Sequence, residues 1–73
     1  MKYRESEEMY LETILLLKSK LNVVRSIDIA NELNYSRASV SRAVNLLKDK
    51  GYITIDNLII NFTDSGLAKA HEI

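Results

Sequence analysis

The chain has no cysteine, no proline and no tryptophan, and only two glycines and one phenylalanine among its 73 residues. The absence of cysteine rules out a disulfide framework, and with it the small stapled scaffolds of secreted proteins. Long apolar runs are also missing. The longest aliphatic stretch, Ile14 to Leu17, falls far short of the about 18 residues that a membrane span needs, so no membrane partner is expected. The opening segment, Met1-Lys2-Tyr3-Arg4-Glu5-Ser6-Glu7-Glu8, lacks the apolar core of a secretory signal, which places the chain in the cytoplasm. There are no repeats, linkers or low-complexity stretches. One histidine, no glycine-rich phosphate loop and no carboxylate pair leave nothing from which to build a catalytic centre, so an enzyme is not expected. What remains is one domain over residues 1–73, short enough that it buries only about 60% of its unfolded surface and gains from self-association.

Charge is balanced overall, ten basic side chains against ten acidic, but it is not evenly spread. Residues 1–12 set Lys2 and Arg4 against Glu5, Glu7, Glu8 and Glu12, and residues 51–73 set Lys69 against Asp56, Asp64 and Glu72. The middle reverses the sign. Lys18, Lys20, Arg25, Arg37, Arg42, Lys48 and Lys50 outnumber Asp28, Glu32 and Asp49 there. A neutral molecule with a positive midsection can still present one face to phosphate.

Hydrophobic period gives the elements. Ser6 is an N-cap for a first helix running to about Leu21, with Glu7 and Glu8 where the helix dipole favours acids. Tyr10, Ile14, Leu17 and Leu21 form its apolar stripe, widened by Leu11, Leu15 and Leu16. Val23-Val24-Arg25 reads as an extended link to a second cap at Ser26. Ile29, Ala30 and Leu33 then fit a two-turn helix ended by Asn34, a residue that tolerates the left-handed conformation. After Tyr35, Ser36 caps a third helix with its stripe on Val40, Ala43, Val44 and Leu47, and Gly51 stops it. The period then becomes twofold. Tyr52 to Ile55 and Leu58 to Phe62 read as two strands, joined by an Asp56-Asn57 hairpin turn. Thr63 caps the start of a fourth helix at Asp64.

This order predicts a mainly α fold with a small β-hairpin: a winged helix-turn-helix with a three-helix core, a two-stranded wing and the start of a fourth helix. If the stripe of the third helix faces inward, Ala38, Ser41, Arg42 and Asn45 face outward, at roughly 100 to 200 degrees from Val40. A merely solvated face is more often filled with Glu and Lys pairs. Small side chains let a helix sink into the major groove of double-stranded DNA, while Arg and Asn can make paired hydrogen bonds to guanine and adenine edges. Ser36, Arg37 and Ser39 stand at the positive end of the helix, where free N–H groups suit a phosphate. Capping alone accounts for either serine, and Arg42 could serve as an exposed ion-pair partner, so the reading rests on the cluster.

Several motifs carry a family resemblance: Met9-Tyr10-Leu11-Glu12-Thr13-Ile14; Val24-Arg25 with Asp28-Ile29-Ala30 and Leu33; Ser39-Val40-Ser41; Leu47-Lys48-Asp49-Lys50-Gly51; and Phe62-Thr63-Asp64-Ser65-Gly66. From about Ser6 onward the chain resembles the N-terminal domain of the iron- and manganese-dependent repressors, the diphtheria toxin repressor family. The first-helix motif is the most distinctive part. The recognition helix and the Thr-x-x-Gly opening are shared with other winged helices, such as the MarR-type regulators. The resemblance implies a DNA-binding repressor acting as a homodimer under iron or manganese control, with Met9 and Glu12 at two metal-ligand positions. Spaced by three, they share a helical face, and a thioether with a carboxylate suits iron(II) better than calcium. As a core-edge gap filler and a solvated charge they would need no metal. Two donors do not hold an ion tightly, so no tightly bound metal is expected on this chain. His71 does not match the family's histidine and reads as a surface residue.

Two departures stand out. The family's wing is usually basic or glycine-tipped, whereas Asp56-Asn57 is acidic, so the wing is expected to add little to phosphate binding. Leu46 takes a position that is usually charged and falls near 240 degrees on the wheel, off the stripe. Together with the neutral charge, these features leave room for a winged helix used for protein association, or for a MarR-like regulator without metal dependence.

Overall fold

The computed structural model describes residues 7–72. Helices α1 (Glu7–Lys20), α2 (Ser26–Leu33) and α3 (Arg37–Asp49) are followed by strands β1 (Ile53–Asp56) and β2 (Ile59–Phe62) and by helix α4 (Asp64–Glu72). Mainly helical with one antiparallel hairpin, this is the winged helix-turn-helix that the hydrophobic period predicts. The expected cap at Ser6 lies outside the described residues.

α1 is the centre of the molecule. It packs on α2, α3 and α4, so its buried residues, Met9, Tyr10, Leu11, Thr13, Ile14 and Leu17, spread over more than one stripe. Thr13 is tolerated there because its hydroxyl donates to the Met9 carbonyl at 2.8 Å, which satisfies the only polar group it buries. The stripe is shorter than its period implies. Leu21, just past the end of the helix at Lys20, is 39% exposed, and Leu16 within the helix is 45% exposed.

The link after α1 is more than a connector. Val24 is fully buried and bridges Ile60, whose N–H donates to the Val24 carbonyl at 2.8 Å, so the hairpin has a partner along one edge. The cap of α2 also differs from expectation. Ser26 is already helical and Arg25 is the N-cap; the Asp28 carboxylate reaches back to accept the Arg25 N–H at 2.8 Å. An acid on the third residue of a helix can do this while also meeting the positive end of the dipole, which leaves Ser26 without a capping task.

The turn between α2 and α3 follows from local chemistry. Asn34 takes the left-handed conformation, φ 59° and ψ 41°, and Tyr35 N–H donates to the Ala30 carbonyl at 3.2 Å. The ring of Tyr35 lies 6.5 Å from that of Tyr10 at a tilt of 59°, and its hydroxyl donates to the Met9 sulfur at 3.7 Å. These contacts pin the turn to α1. Ser36 then caps α3, which buries Val40, Val44 and Leu47 and stops at Gly51, whose φ of 83° costs a glycine little. An exposed ion pair between Lys50 and Glu7 joins the end of α3 to the start of α1.

The hairpin register pairs Ile53 with Phe62 and Ile55 with Ile60. The turn is Asn57-Leu58, at φ 53° and 70°, one residue later than the expected Asp56-Asn57. Alternation alone does not choose between the two registers, since either puts apolar residues on the inner face. The observed one brings Phe62 rather than Leu58 opposite the β1 isoleucines and against the core. It also lets Thr63 N–H donate to the Tyr52 carbonyl at 3.0 Å. Tyr52, expected in the first strand, therefore lies just before it. The Thr63 hydroxyl oxygen accepts from Gly66 N–H at 3.0 Å and so caps α4, as expected, and the same hydroxyl donates to the Gly51 carbonyl at 2.6 Å.

Candidate nucleic-acid interface

Helix α3 presents its outer side to solvent. Ala38, Ser41, Arg42 and Asn45 are all exposed, while Val40, Val44 and Leu47 on the other side are essentially inaccessible. Folding thus separates the two faces as the periodicity requires. Among the described residues the one ion pair is Lys50 with Glu7, which leaves the Arg37 and Arg42 guanidinium groups without a carboxylate partner. Five fixed N–H donors on each are available to an external acceptor.

The other polar residues are partly engaged. Ser36 Oγ accepts the Ser39 N–H at 3.1 Å and donates to Ser39 Oγ at 3.1 Å, so both serines spend hydrogen bonds on the helix start. Ser36 and Arg37 are exposed and Ser39 is half-buried. The Asn45 amide donates to the Ser41 carbonyl one turn back at 2.9 Å. Its second N–H and its carbonyl oxygen are not used by that bond, and these are the pair that an adenine edge requires.

A groove of about 300 Å³ adjoins this face, and periodicity along α3 alone does not reveal it. Arg37 and Ser41 line it from α3, Ile55 and Leu58 from the hairpin, and Arg25 and Ile27 from the start of α2. In the sequence Arg25 belongs to the positive midsection, to the link before α2 and to the Val24-Arg25 motif, none of which places it beside Arg37. Its separation from Arg37 along the chain hides a proximity that the turn at Asn34 creates. Leu46, 50% exposed, lies off the stripe as the wheel places it.

The two metal positions behave differently from each other. Met9 is buried and its sulfur accepts the Tyr35 hydroxyl, whereas Glu12 is exposed. Among the described residues no group of three His, Cys, Asp or Glu side chains comes together as a metal site. A thioether turned into the core and one solvated carboxylate do not by themselves fit a divalent ion. His71 lies exposed in the last turn of α4.

The family model described as iron dependent repressor, N-terminal DNA binding domain, matches residues 2–57, which is well over half of the chain. The chain belongs to this family. The match spans α1, both helices of the helix-turn-helix and β1, and therefore covers the whole exposed face of α3. The iron-dependent repressor domain is a DNA-binding regulatory module rather than an enzyme family. No curated protein matches the chain. Among the described residues of the repressor domain, no helix is long and apolar enough to cross a membrane.

Proposed function

We propose that this domain is a sequence-specific repressor of transcription that acts in the cytoplasm as a homodimer and places α3 in the major groove of double-stranded DNA. The observation that carries the reading is the outer face of α3, with two unpaired arginines, an asparagine and small side chains, set against a fully buried opposite face. Arg42 and Asn45 read base edges, and Ala38 and Ser41 let the helix approach closely. Ser36, Arg37 and Ser39 hold the phosphate backbone at the helix's positive end, the serines through what remains of their hydrogen bonding beyond the cap. Two copies would set two such helices on a palindromic site.

Iron or manganese control forms a second layer of the proposal, supported by family membership. It needs donors beyond Met9 and Glu12, because the first has its sulfur against Tyr35 and the second stands in solvent. No part of DNA recognition by α3 is routed through a metal.

Fluorescence anisotropy on labelled duplex DNA at low and moderate salt tests the reading. Binding should fall steeply as salt rises, because each phosphate neutralised releases condensed counterions. The rival, a winged helix for protein association, is favoured by half-exposed Leu46, and an apolar interface of that kind need not weaken with salt. Binding that is absent or insensitive to salt would select the rival.

A further inference from the structure

Leu46 is the one large apolar side chain that α3 leaves in solvent, half exposed and not among the residues packed against the core. Its neighbours make leucine an odd choice. Arg42 stands one helical turn before it and Lys50 one turn after, the spacing at which a glutamate in place of Leu46 would pair with both and support the helix. Leucine forgoes those pairs and keeps apolar surface in water. A helix face with no other task is better served by the acid.

Direction shows what the leucine does meet. Counted from Val40 at about 100° per residue, Leu46 falls at about 240°, between Arg42 at about 200° and Ser39 at about 260°. Both of those residues face DNA in the proposed placement of α3, so Leu46 faces it too. An acid there would neutralise the unpaired Arg42 guanidinium and repel phosphate, and leucine does neither. The edges of bases in the major groove are mostly hydrogen-bonding atoms. Thymine is the exception, because its C5-methyl group gives an aliphatic side chain something to touch.

We infer that Leu46 is a specificity-determining residue that recognises thymine through its methyl group. The inference rests on the proposed reading of base edges by α3, to which it adds an apolar contact beside the hydrogen bonds of Arg42 and Asn45. One helical turn carries Leu46 about 6 Å along the axis from Arg42, and successive base pairs rise by about 3.4 Å, so the thymine lies within about two base pairs of the base that Arg42 reads. The contact involves no charge. Leu46 therefore changes which sequence is bound and leaves the phosphate-dependent part of binding as it is.

The test starts from duplexes selected by the wild-type chain from a random pool, in which the preference relaxed by Arg42→Ala marks the base that Arg42 reads. Each fixed thymine is then replaced by deoxyuridine, which lacks only the methyl group, and binding is followed by anisotropy. The wild type should bind about fourfold more weakly when one thymine near that base loses its methyl, the effect of one buried carbon. Leu46→Ala should bind the thymine duplex more weakly by a similar factor, show no difference between thymine and deoxyuridine there, and keep the wild-type salt slope. Circular dichroism melting should find Leu46→Ala as stable as the wild type, since the side chain is half exposed and alanine favours a helix. Leu46→Met should keep the preference for the methyl. A selected site with no fixed thymine near the Arg42 base, a wild type indifferent to the methyl, or a Leu46→Ala protein that still discriminates would overturn the inference and leave base reading by α3 standing. A wild-type chain with no salt-dependent affinity for any duplex would overturn both.

Discussion

Replacing Gly66 with alanine is the sharpest test of how the wing is joined to the core, because the expected sign reverses with the tertiary structure. Gly66 lies in the first turn of α4, where glycine is normally a liability; with nothing else nearby, alanine should stabilise the helix by about 1 kcal/mol. The structure predicts the opposite. A Cβ on Gly66 would fall 1.7 Å from the Tyr52 carbonyl oxygen and 2.6 Å from its carbonyl carbon, and both are backbone atoms that cannot rotate aside. That carbonyl also accepts Thr63 N–H at 3.0 Å, and Thr63 Oγ1 in turn accepts Gly66 N–H at 3.0 Å. Relieving the clash therefore moves α4 off the hairpin and loosens its cap. Overpacking of about 1–3 kcal/mol together with loss of a cap, about 1 kcal/mol, outweighs the gain in propensity, for a net destabilisation of about 2 kcal/mol. For a domain of this size that corresponds to a fall in Tm on the order of 10 °C. Urea unfolding followed by circular dichroism measures it directly, with Gly51→Ala as a control that meets nothing within 4 Å and suffers only from its φ of 83°. A Gly66→Ala variant as stable as the wild type, or more so, would refute the close approach of α4 to Tyr52.

Arg42→Ala should lower affinity by about 1–3 kcal/mol and relax one base preference in duplexes selected from a random pool, whereas Arg37→Ala should weaken binding to all sequences alike and flatten the salt dependence. Equal losses on every sequence for both variants would remove the division between reading and holding. Thr63→Val deletes both the acceptor for Gly66 N–H and the donor to the Gly51 carbonyl, and should lower the unfolding free energy by about 1–2 kcal/mol in the same urea assay. Calorimetric titration of manganese(II) into this chain should give no saturable heat in the micromolar range. A stoichiometric site that disappears in Met9→Leu would show that the methionine sulfur leaves Tyr35 to bind metal.

Much of the architecture is legible because it is local. Ser36 bonds Ser39 within one helical turn, Asn34 can adopt φ 59° by itself, and Thr63 reaches a glycine three residues on. The Val40, Val44 and Leu47 stripe likewise fixes which side of α3 faces out before any partner is known. The α2 cap is misread because of a local competitor, Asp28, three residues from Arg25, but the other misreadings arise where the deciding partner is distant in sequence. The hairpin turn moves by one residue because Phe62 is placed against the core and Thr63 bonds Tyr52, and alternation within the strands is blind to both. Leu21 continues the period of α1 but stays 39% exposed outside the core, since period records direction and not what stands opposite.

The order of the helices, the outward face of α3 and the family were therefore determined by the sequence itself, through caps and spacings that act within about a turn of backbone. Only the tertiary structure decided that Val24 pairs with Ile60, that Gly66 must lack a side chain, and that Arg25, Arg37 and Leu58 share one groove. Those relations join residues on different elements, and their proximity exists only once the common core of α1, α2, α3 and the hairpin has formed.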